Sequence, residues 1–320
     1  MTTELRLGTR GSQLALWQAN TVAARIAAAG GPSCRIVVIK TSGDRLQDAP
    51  LSSVGGKRLF VKEIEDALLR NEIDLAVHSS KDMPAVLPDG LAIAGVLPRE
   101  DPLDAVVLPT RANGSGLMTI DDLVTALGQT PSIGTGSVRR IAQLTRLFPN
   151  ARFTPIRGNL DTRLRKLDEG AHDALVLAAA GLRRLGFANR VSLALPAVAC
   201  VPAPGQGIVA VEIRQGDTQV QDVVSRIDDP AAGAALTAER ALVETLGGGC
   251  QTPVGALASP VEGDSLELVA VVVALDGSKA VRATGQSPTK DAASLGRRVA
   301  TQLIAEGADL ILAEASQNRT

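Results

Sequence analysis

The chain has no tyrosine, one tryptophan and four phenylalanines among its 320 residues. Single-stranded nucleic acid is held largely by stacking on aromatic side chains, so this scarcity argues against such a partner. A formal net charge of -1 gives the surface no overall attraction for nucleic acid or for an anionic membrane. Histidine is equally sparse. His78 and His172 are too few for an ordinary structural zinc site, and no metal is expected. The three cysteines, Cys34, Cys200 and Cys250, form no C-x-x-C pair, and an odd number suits a reducing compartment. The first ten residues lack the basic end and apolar core of a secretory signal. The longest uncharged stretch, 191–211, is broken by Pro196, Pro202 and Pro204, which suits a buried strand with loops and not a membrane span. These absences together point to the cytoplasm.

What is present is an ordinary globular composition, 45% hydrophobic and 21% charged, in a chain long enough for two or three domains. Short apolar runs alternate with helical patterns, as in α/β units around a largely parallel sheet. A strand is expected over 5–8, and Ser12 then caps a helix whose apolar stripe is Ala15, Ala19, Val22 and Ile26. Further strands are expected over 34–41, 74–78 and 91–96, with a helix over 57–71. After Arg99-Glu100-Asp101-Pro102 the pattern restarts, with strands over 105–108, 132–134 and 173–180 and helices over 120–127, 137–148 and around Leu160, Leu164 and Leu167. From about residue 229 the character changes to α+β. A helix carries Leu236, Val243 and Leu246, a hairpin turns at Asp276-Gly277, and a final helix carries Leu295, Val299 and Leu303.

Basic residues recur where strands end and helices begin: Thr9-Arg10-Gly11-Ser12, Gly134 to Arg140, and Arg157-Gly158-Asn159. A helix N-terminus offers free N–H groups, and adding hydroxyls and guanidinium groups makes an anion site. Any one such arginine equally suits a solvated surface. Their repetition points to a ligand carrying several anionic groups.

The stretch VHSSKDMP at 77–84 follows a buried strand, at the sheet edge where ligands of open α/β sheets bind. Asp82 suits proton transfer or stabilisation of a cation, with Lys81 holding an anion, though the same residues suit a turn. His78, ending a strand, suits a satisfied structural group. The loop GGKRLF at 55–60 is not a phosphate loop and reads as a lid or a plain flexible loop. In GGGCQTP at 247–253, three glycines leave Cys250 exposed to a close neighbour, as covalent attachment needs. A helix C-cap followed by an incidental cysteine fits the same residues.

The segments TRGSQLALWQ, VGGKRLFVKEIEDALL, AVHSSKDMP, REDPLDA, GTGSVRR, RGNLDTRL, LAAAGLRRLG, PAPGQG, TAERA and GGGCQTPVG run in order from residue 9 to 255. Together they resemble the porphobilinogen deaminase (hydroxymethylbilane synthase) family. The resemblance implies two α/β domains like those of periplasmic solute-binding proteins, 1–100 with 202–224 and 101–201. A C-terminal α+β domain with a small antiparallel sheet, 225–320, would complete the chain. It implies a monomer and a dipyrromethane cofactor held by a thioether at Cys250. It implies that four porphobilinogen molecules are joined head to tail with loss of ammonia, then released by hydrolysis as hydroxymethylbilane. In that reading Asp82 is catalytic and, with Ser79, Lys81, Thr135, Ser137, Arg139 and Arg140, lies against the cofactor. Arg10, Ser12, Gln18, Arg157, Arg163 and Arg184 bind substrate, and Lys57 and Arg58 belong to a lid loop. Two residues depart from the family pattern: Gly136 stands where serine is common, and Arg58 where glycine is usual. A non-catalytic small-anion-binding or ligand-sensing protein of the same fold is the alternative, as is an enzyme that has lost activity.

Overall fold

The structure is a computed structural model in which residues 4–45, 61–112, 116–248 and 252–317 are described. In chain order the strands are β1 Glu4–Thr9, β2 Ser33–Val38, β3 Leu75–Ser79, β4 Leu91–Val96, β5 Asp104–Val107, β6 Ser132–Gly134 and β7 Arg152–Thr154. They continue with β8 Ala174–Ala178, β9 Leu193–Leu195, β10 Val209–Arg214, β11 Val254–Val261, β12 Ser265–Val273 and β13 Ala280–Pro288. The described residues form a five-stranded sheet in the order β2-β1-β3-β10-β4, a second in the order β7-β6-β8-β5-β9, and a three-stranded sheet β11-β12-β13.

The two larger sheets repeat one plan: in each, the fourth position is filled by a strand arriving from the other sheet. The chain leaves the first sheet after β4, crosses to begin the second with β5, and returns after β9 to lay down β10. This corrects the expectation of a largely parallel sheet. β1 runs parallel to β2 and β3, and β6 to β7 and β8, but β10 is antiparallel to β3 and β4, and β5 to β8 and β9. A parallel neighbour needs a long crossover of its own, usually a helix. A strand that enters straight from the facing sheet has none and runs the opposite way. Because both crossovers join the ends where β3 and β8 finish, the two carboxyl edges face each other across a cleft.

Each element forms for a legible reason. Ser12 caps the helix Gln13–Ala28, its hydroxyl oxygen accepting from the Ala15 N–H at 3.3 Å, and Ala15, Ala19, Val22 and Ile26 are buried against the first sheet with Leu7, Leu75 and Val211. The strands over 91–96 and 132–134 and the helix over 120–127 lie where the sequence places them. The helix expected over 57–71 is Lys62–Leu69, with Val61 at its N-cap, and residues 57–60 lie outside the described ones. Several elements were not expected, among them the helices Ala179–Arg184, Thr218–Ser225 and Ala308–Gln317 and the strands β7 and β11. β11 contains Gly255 and Pro260, both poor strand formers. Gly255 is required by proximity, since a Cβ there would stand 2.7 Å from the Val201 carbonyl oxygen, while the next residue bonds the same crossover through Ala256 N–H to Pro202 O at 2.9 Å.

Among the described residues no helix is long and apolar enough to cross a membrane.

Gly207 sits where the returning crossover meets the outgoing one. Its φ is +88°, and a Cβ would lie 2.2 Å from the Glu100 carbonyl oxygen. Gly216, at φ +83°, has open space around its Cβ position. Gly207→Ala is therefore expected to lower the thermal midpoint well beyond Gly216→Ala, which bears only a left-handed backbone cost of about 1–3 kcal/mol. Equal shifts in a melting experiment would remove the close approach as the cause.

Candidate active site

On the first lobe the cleft is built by the end of β3. The chain turns through a short 3-10 segment, Ser80–Asp82, held by Ser80 N–H to Ile208 O at 3.0 Å and Met83 N–H to Ser80 O at 3.1 Å. This turn sends Lys81 and Asp82 into different cavities. Asp82 shares one with Arg10, Ser12, Gln18, His78 and Ser79. Ser12 uses its oxygen as the helix cap, which leaves its hydroxyl hydrogen to donate. Buried Gln18 donates to the Ser79 hydroxyl at 2.8 Å. At the back, His78 Nε2 lies 3.0 Å from Glu212 Oε2, both buried, which fits the satisfied histidine expected from sequence.

Lys81 lines the second cavity with Ser80, Ser137, Arg139, Arg240 and Thr252. The cavity spans about 600 Å³ counting the open solvent at its mouth. Burial, then Arg140, push the Lys81 ammonium down to about 8, against the pull of Asp82 and Asp104. Its one described hydrogen bond runs to Gln206 Oε1 at 3.3 Å.

On the second lobe β6 ends at Gly134. Thr135 is buried, its oxygen accepting from Ser137 N–H at 3.3 Å, and the Ser137 oxygen caps the helix Val138–Thr145 by accepting from Arg140 N–H at 3.4 Å. Arg139 and Arg140 are buried and converge on Asp104, a residue the sequence reading left inside the REDPLDA motif without a role. Arg139 Nη1 and Nη2 donate to the two carboxylate oxygens at 2.6 and 3.1 Å, and Arg140 Nε donates to Oδ1 at 2.9 Å. Gln206 Nε2 adds 2.9 Å and the Cys200 thiol 3.3 Å. Burial works to raise the Asp104 carboxyl, but Arg139 and Arg140 outweigh it and hold it far below the usual carboxylate range. Burial, then Asp104, push the Cys200 thiol up to about 12, so it stays a hydrogen-bond donor. The signal that could have found Asp104 is a carboxylate opening a wholly apolar buried strand, which must be paired.

The two cofactor arginines of the sequence reading are thus largely occupied within the protein. Arg139 also reaches Val201 O at 2.7 Å, and Arg140 reaches Val176 O at 2.8 Å. What they leave over is informative. The buried Arg139 Nε and Ser80 Oγ have no hydrogen-bond partner among the described residues, and both residues line the Lys81 cavity. Buried polar atoms are rarely left unpaired. A polar, partly apolar cavity with two unanswered donors, an ammonium and a wall at Thr252 and Val254 fits an anionic pyrrole group attached at residue 250. Cys250 itself lies outside the described residues, as do Lys57 and Arg58.

Arg157, Arg163 and Arg184 have no carboxylate partner among the described residues. Arg163 donates to Gly158 O at 2.7 Å, and burial, then Arg140 and Arg157, lower its pKa. Burial also lowers that of Arg184, which donates to Gly207 O at 2.6 Å. A Cβ at Gly136 would meet nothing within 4 Å, so the hydroxyl common at that position would fit here without a clash.

Fold and site define a two-lobed α/β protein with an appended α+β domain, its cleft rich in cations and carrying the acid Asp82. A family model described as porphobilinogen deaminase, dipyromethane cofactor binding domain, matches residues 5–222, and one described as porphobilinogen deaminase, C-terminal domain, matches 234–305. The chain belongs to the porphobilinogen deaminase family, whose members are transferases. Porphobilinogen deaminase of Geobacter metallireducens is 45% identical over 98% of this chain and 95% of its own length. That of Moorella thermoacetica is 45% identical over 97% and 96%. Among solved structures, the VFT2 domain of Bordetella pertussis BvgS covers 70% of this chain and 86% of its own at 16% identity and a TM-score of 0.41, a likeness too slight to argue from.

Asp104→Asn would leave two buried guanidinium groups short of their counterion. A loss of about 3–5 kcal/mol of stability is expected in denaturant unfolding. A change within 0.5 kcal/mol, roughly that of an ordinary surface substitution, would mean that the arginines find another partner.

Proposed function

We propose that the chain joins four porphobilinogen molecules head to tail, with loss of ammonia, on a dipyrromethane bonded to Cys250. Hydrolysis then releases hydroxymethylbilane for tetrapyrrole synthesis. The observation that carries this reading is the surplus of cleft cations: Arg157, Arg163 and Arg184 with no carboxylate at ion-pair distance among the described residues, and Lys81 pushed down to about 8. Each porphobilinogen carries an acetate and a propionate, so the growing chain is a polyanion, and a site for it must be arranged in advance as paired donors.

When bound, dipyrromethane supplies the free pyrrole α-carbon to which each unit is joined. Lys81, Ser137 and the free Nε of Arg139 would hold its carboxylates, with Ser79, Thr135 and Arg140 behind them. Arg140 acts mainly by keeping Arg139 and Asp104 in place. Asp82, in the neighbouring cavity with Arg10, Ser12 and Gln18, takes the catalytic role. Its carboxylate faces the cation that develops as the substrate C–N bond breaks, and it accepts the α-proton released when the new C–C bond forms. Arg10, Arg157, Arg163 and Arg184 receive acetate and propionate groups. Lys57 and Arg58 are assigned to the lid.

The division into 1–100 with 202–224, 101–201 and 225–320 is supported by β10 lying in the first sheet. A cytoplasmic monomer is supported by the free thiols of Cys34 and Cys200 and by a cleft that a single chain completes. A non-catalytic anion-binding protein would use the same arginines but would need neither Asp82 nor a covalent group on Cys250.

Intact mass decides between these readings. Protein carrying the cofactor should exceed the chain mass by one dipyrromethane localised to the Cys250 peptide. Cys250→Ser should carry none, and a bare wild-type mass that stays bare after porphobilinogen is added would favour the binding protein. Asp82→Ala should reduce turnover by about 10²–10⁴-fold with an unchanged melt, the range of a lost acid–base group.

In the ligand-free cleft Lys81 loses its proton near pH 8. Binding of a carboxylate ligand to the apoprotein should therefore weaken as pH rises through that value, by up to about tenfold per unit, as expected when one proton accompanies the ligand. Folding has the opposite sign. The lowered pKa penalises the folded apoprotein below pH 8, and stability recovers as pH rises from there toward the ordinary lysine value of 10.5. A flat binding profile between pH 7 and 9.5, read by calorimetry, would remove Lys81 from the anion site.

A further inference from the structure

The single tryptophan lies between the lobes. Trp17 belongs to the helix Gln13–Ala28 of the first lobe, and Arg184 ends the helix Ala179–Arg184 of the second. The Arg184 guanidinium carbon stands 5.5 Å from the centroid of the Trp17 ring. Arg184 Nη2 donates to Gly207 O at 2.6 Å, and the same carbonyl accepts from Glu100 N–H at 3.0 Å. Gly207 and Glu100 lie on the two crossovers. The adjacent Arg183 takes Asp101 at 3.1 Å and reaches Glu100 at 4.0 Å, so the nearby carboxylates serve Arg183. Arg184 touches an aromatic face and a carbonyl, with Glu100 acting on it electrostatically but outside ion-pair distance, while its Nε and Nη1 donors remain uncommitted among the described residues.

We propose that Trp17 is a positioning residue for the reaction: its ring holds the Arg184 guanidinium beside the junction of the crossovers, with the unbonded donors ready for a substrate carboxylate. An indole is the strongest of the aromatic partners for a cation, and stacking leaves the planar fork free to make its hydrogen bonds. Holding the fork before substrate arrives removes an ordering cost from binding and leaves the chemical step alone. The arrangement also ties that carboxylate to the geometry between the lobes, because Arg184 touches the first lobe, the second and the crossovers together. This inference rests on the reading of Arg184 as a substrate ligand.

The test uses cofactor-loaded protein and the variants Trp17→Leu, Trp17→Phe and Arg184→Ala. Trp17→Leu should raise KM for porphobilinogen by about three- to thirtyfold, the range set by a cation–π contact, with kcat within about twofold. Trp17→Phe should recover part of the loss, which a purely structural role would not produce. Because Trp17 is the only indole, wild-type emission should shift on adding porphobilinogen with a midpoint near KM, and Arg184→Ala should abolish that shift. If Arg184→Ala raises KM while both Trp17 variants leave it unchanged, the positioning role is overturned. If Arg184→Ala itself leaves KM unchanged, the reading of Arg184 as a carboxylate ligand fails, and this inference with it. Should Trp17→Leu fold poorly by thermal melt, the KM of Trp17→Phe and the emission shift decide alone, and a normal KM with no shift counts against the proposal.

Discussion

One buried carboxylate organises the cleft. Asp104 opens β5, the first strand laid down after the chain crosses from the first lobe, and it is fully buried. An ionised carboxylate cannot stay there without counterions and hydrogen bonds, because desolvation costs several kcal/mol per ion. The chain answers with donors from three places: Arg139 and Arg140 from the helix after β6, and Cys200 and Gln206 from the returning crossover. The satisfied cluster joins the outgoing strand, the returning crossover and the second lobe. It also fixes which way both guanidinium groups point, and so leaves Arg139 Nε turned to the cavity beside Lys81. Two cations meet one anion, and the cluster keeps a net positive charge.

That residual charge, added to Lys81, Arg157, Arg163 and Arg184, explains the electrostatics of the cleft. Burial first, and then the neighbouring like charges, lower the pKa values of Lys81 and Arg163. The unliganded arrangement is therefore costly, and the cost is recovered when carboxylates arrive. Strain of this kind has a use in an enzyme whose bound chain gains two carboxylates with every cycle, since donors must exist for groups that come later. Asp82 stands apart from the arginine cluster, in a cavity shared with Arg10 and two neutral donors. An acid sealed by guanidinium groups, as Asp104 is, would be locked ionised and unable to exchange protons.

Much of this was legible in the sequence, for reasons that differ from element to element. The stripe Ala15, Ala19, Val22 and Ile26 has one periodicity and one buried face, so the helix over 13–28 follows directly. The arginines at strand-to-helix junctions stand out in the sequence as candidate anion binders because a cation opposes the dipole there. Strand direction was not legible, since β10 pairs with residues over 100 positions away and periodicity carries no such information. Asp104 was hidden by the same limit: its partners come from residues 139, 140, 200 and 206, gathered only by the double crossover. The role of Arg139 was read too directly, because the sequence shows its charge but not the carboxylate that takes most of it. Cys250 is singled out by the family resemblance and by its three preceding glycines, and it lies outside the described residues.

The third domain completes the site by fixing its rear wall. Glu239, buried on the helix Pro230–Thr245, accepts from Arg99 Nη1 at 2.6 Å, from Gly205 N–H at 2.5 Å and from Ala258 N–H at 2.8 Å. One carboxylate thus ties both crossovers to β11. The next residue on the helix, Arg240, donates to Ala85 O at 2.6 Å, just beyond the turn that carries Asp82, and Arg146 of the second lobe reaches Gly277 O at 2.8 Å. The domain is therefore bonded to each lobe and to the links between them. The chain on either side of Cys250 is anchored at Gly248, whose N–H donates to Val243 O at 3.0 Å, and at Thr252, which lines the Lys81 cavity. Both anchors belong to the third domain, and Thr252 sets it against a cavity whose other walls come from both lobes and the returning crossover.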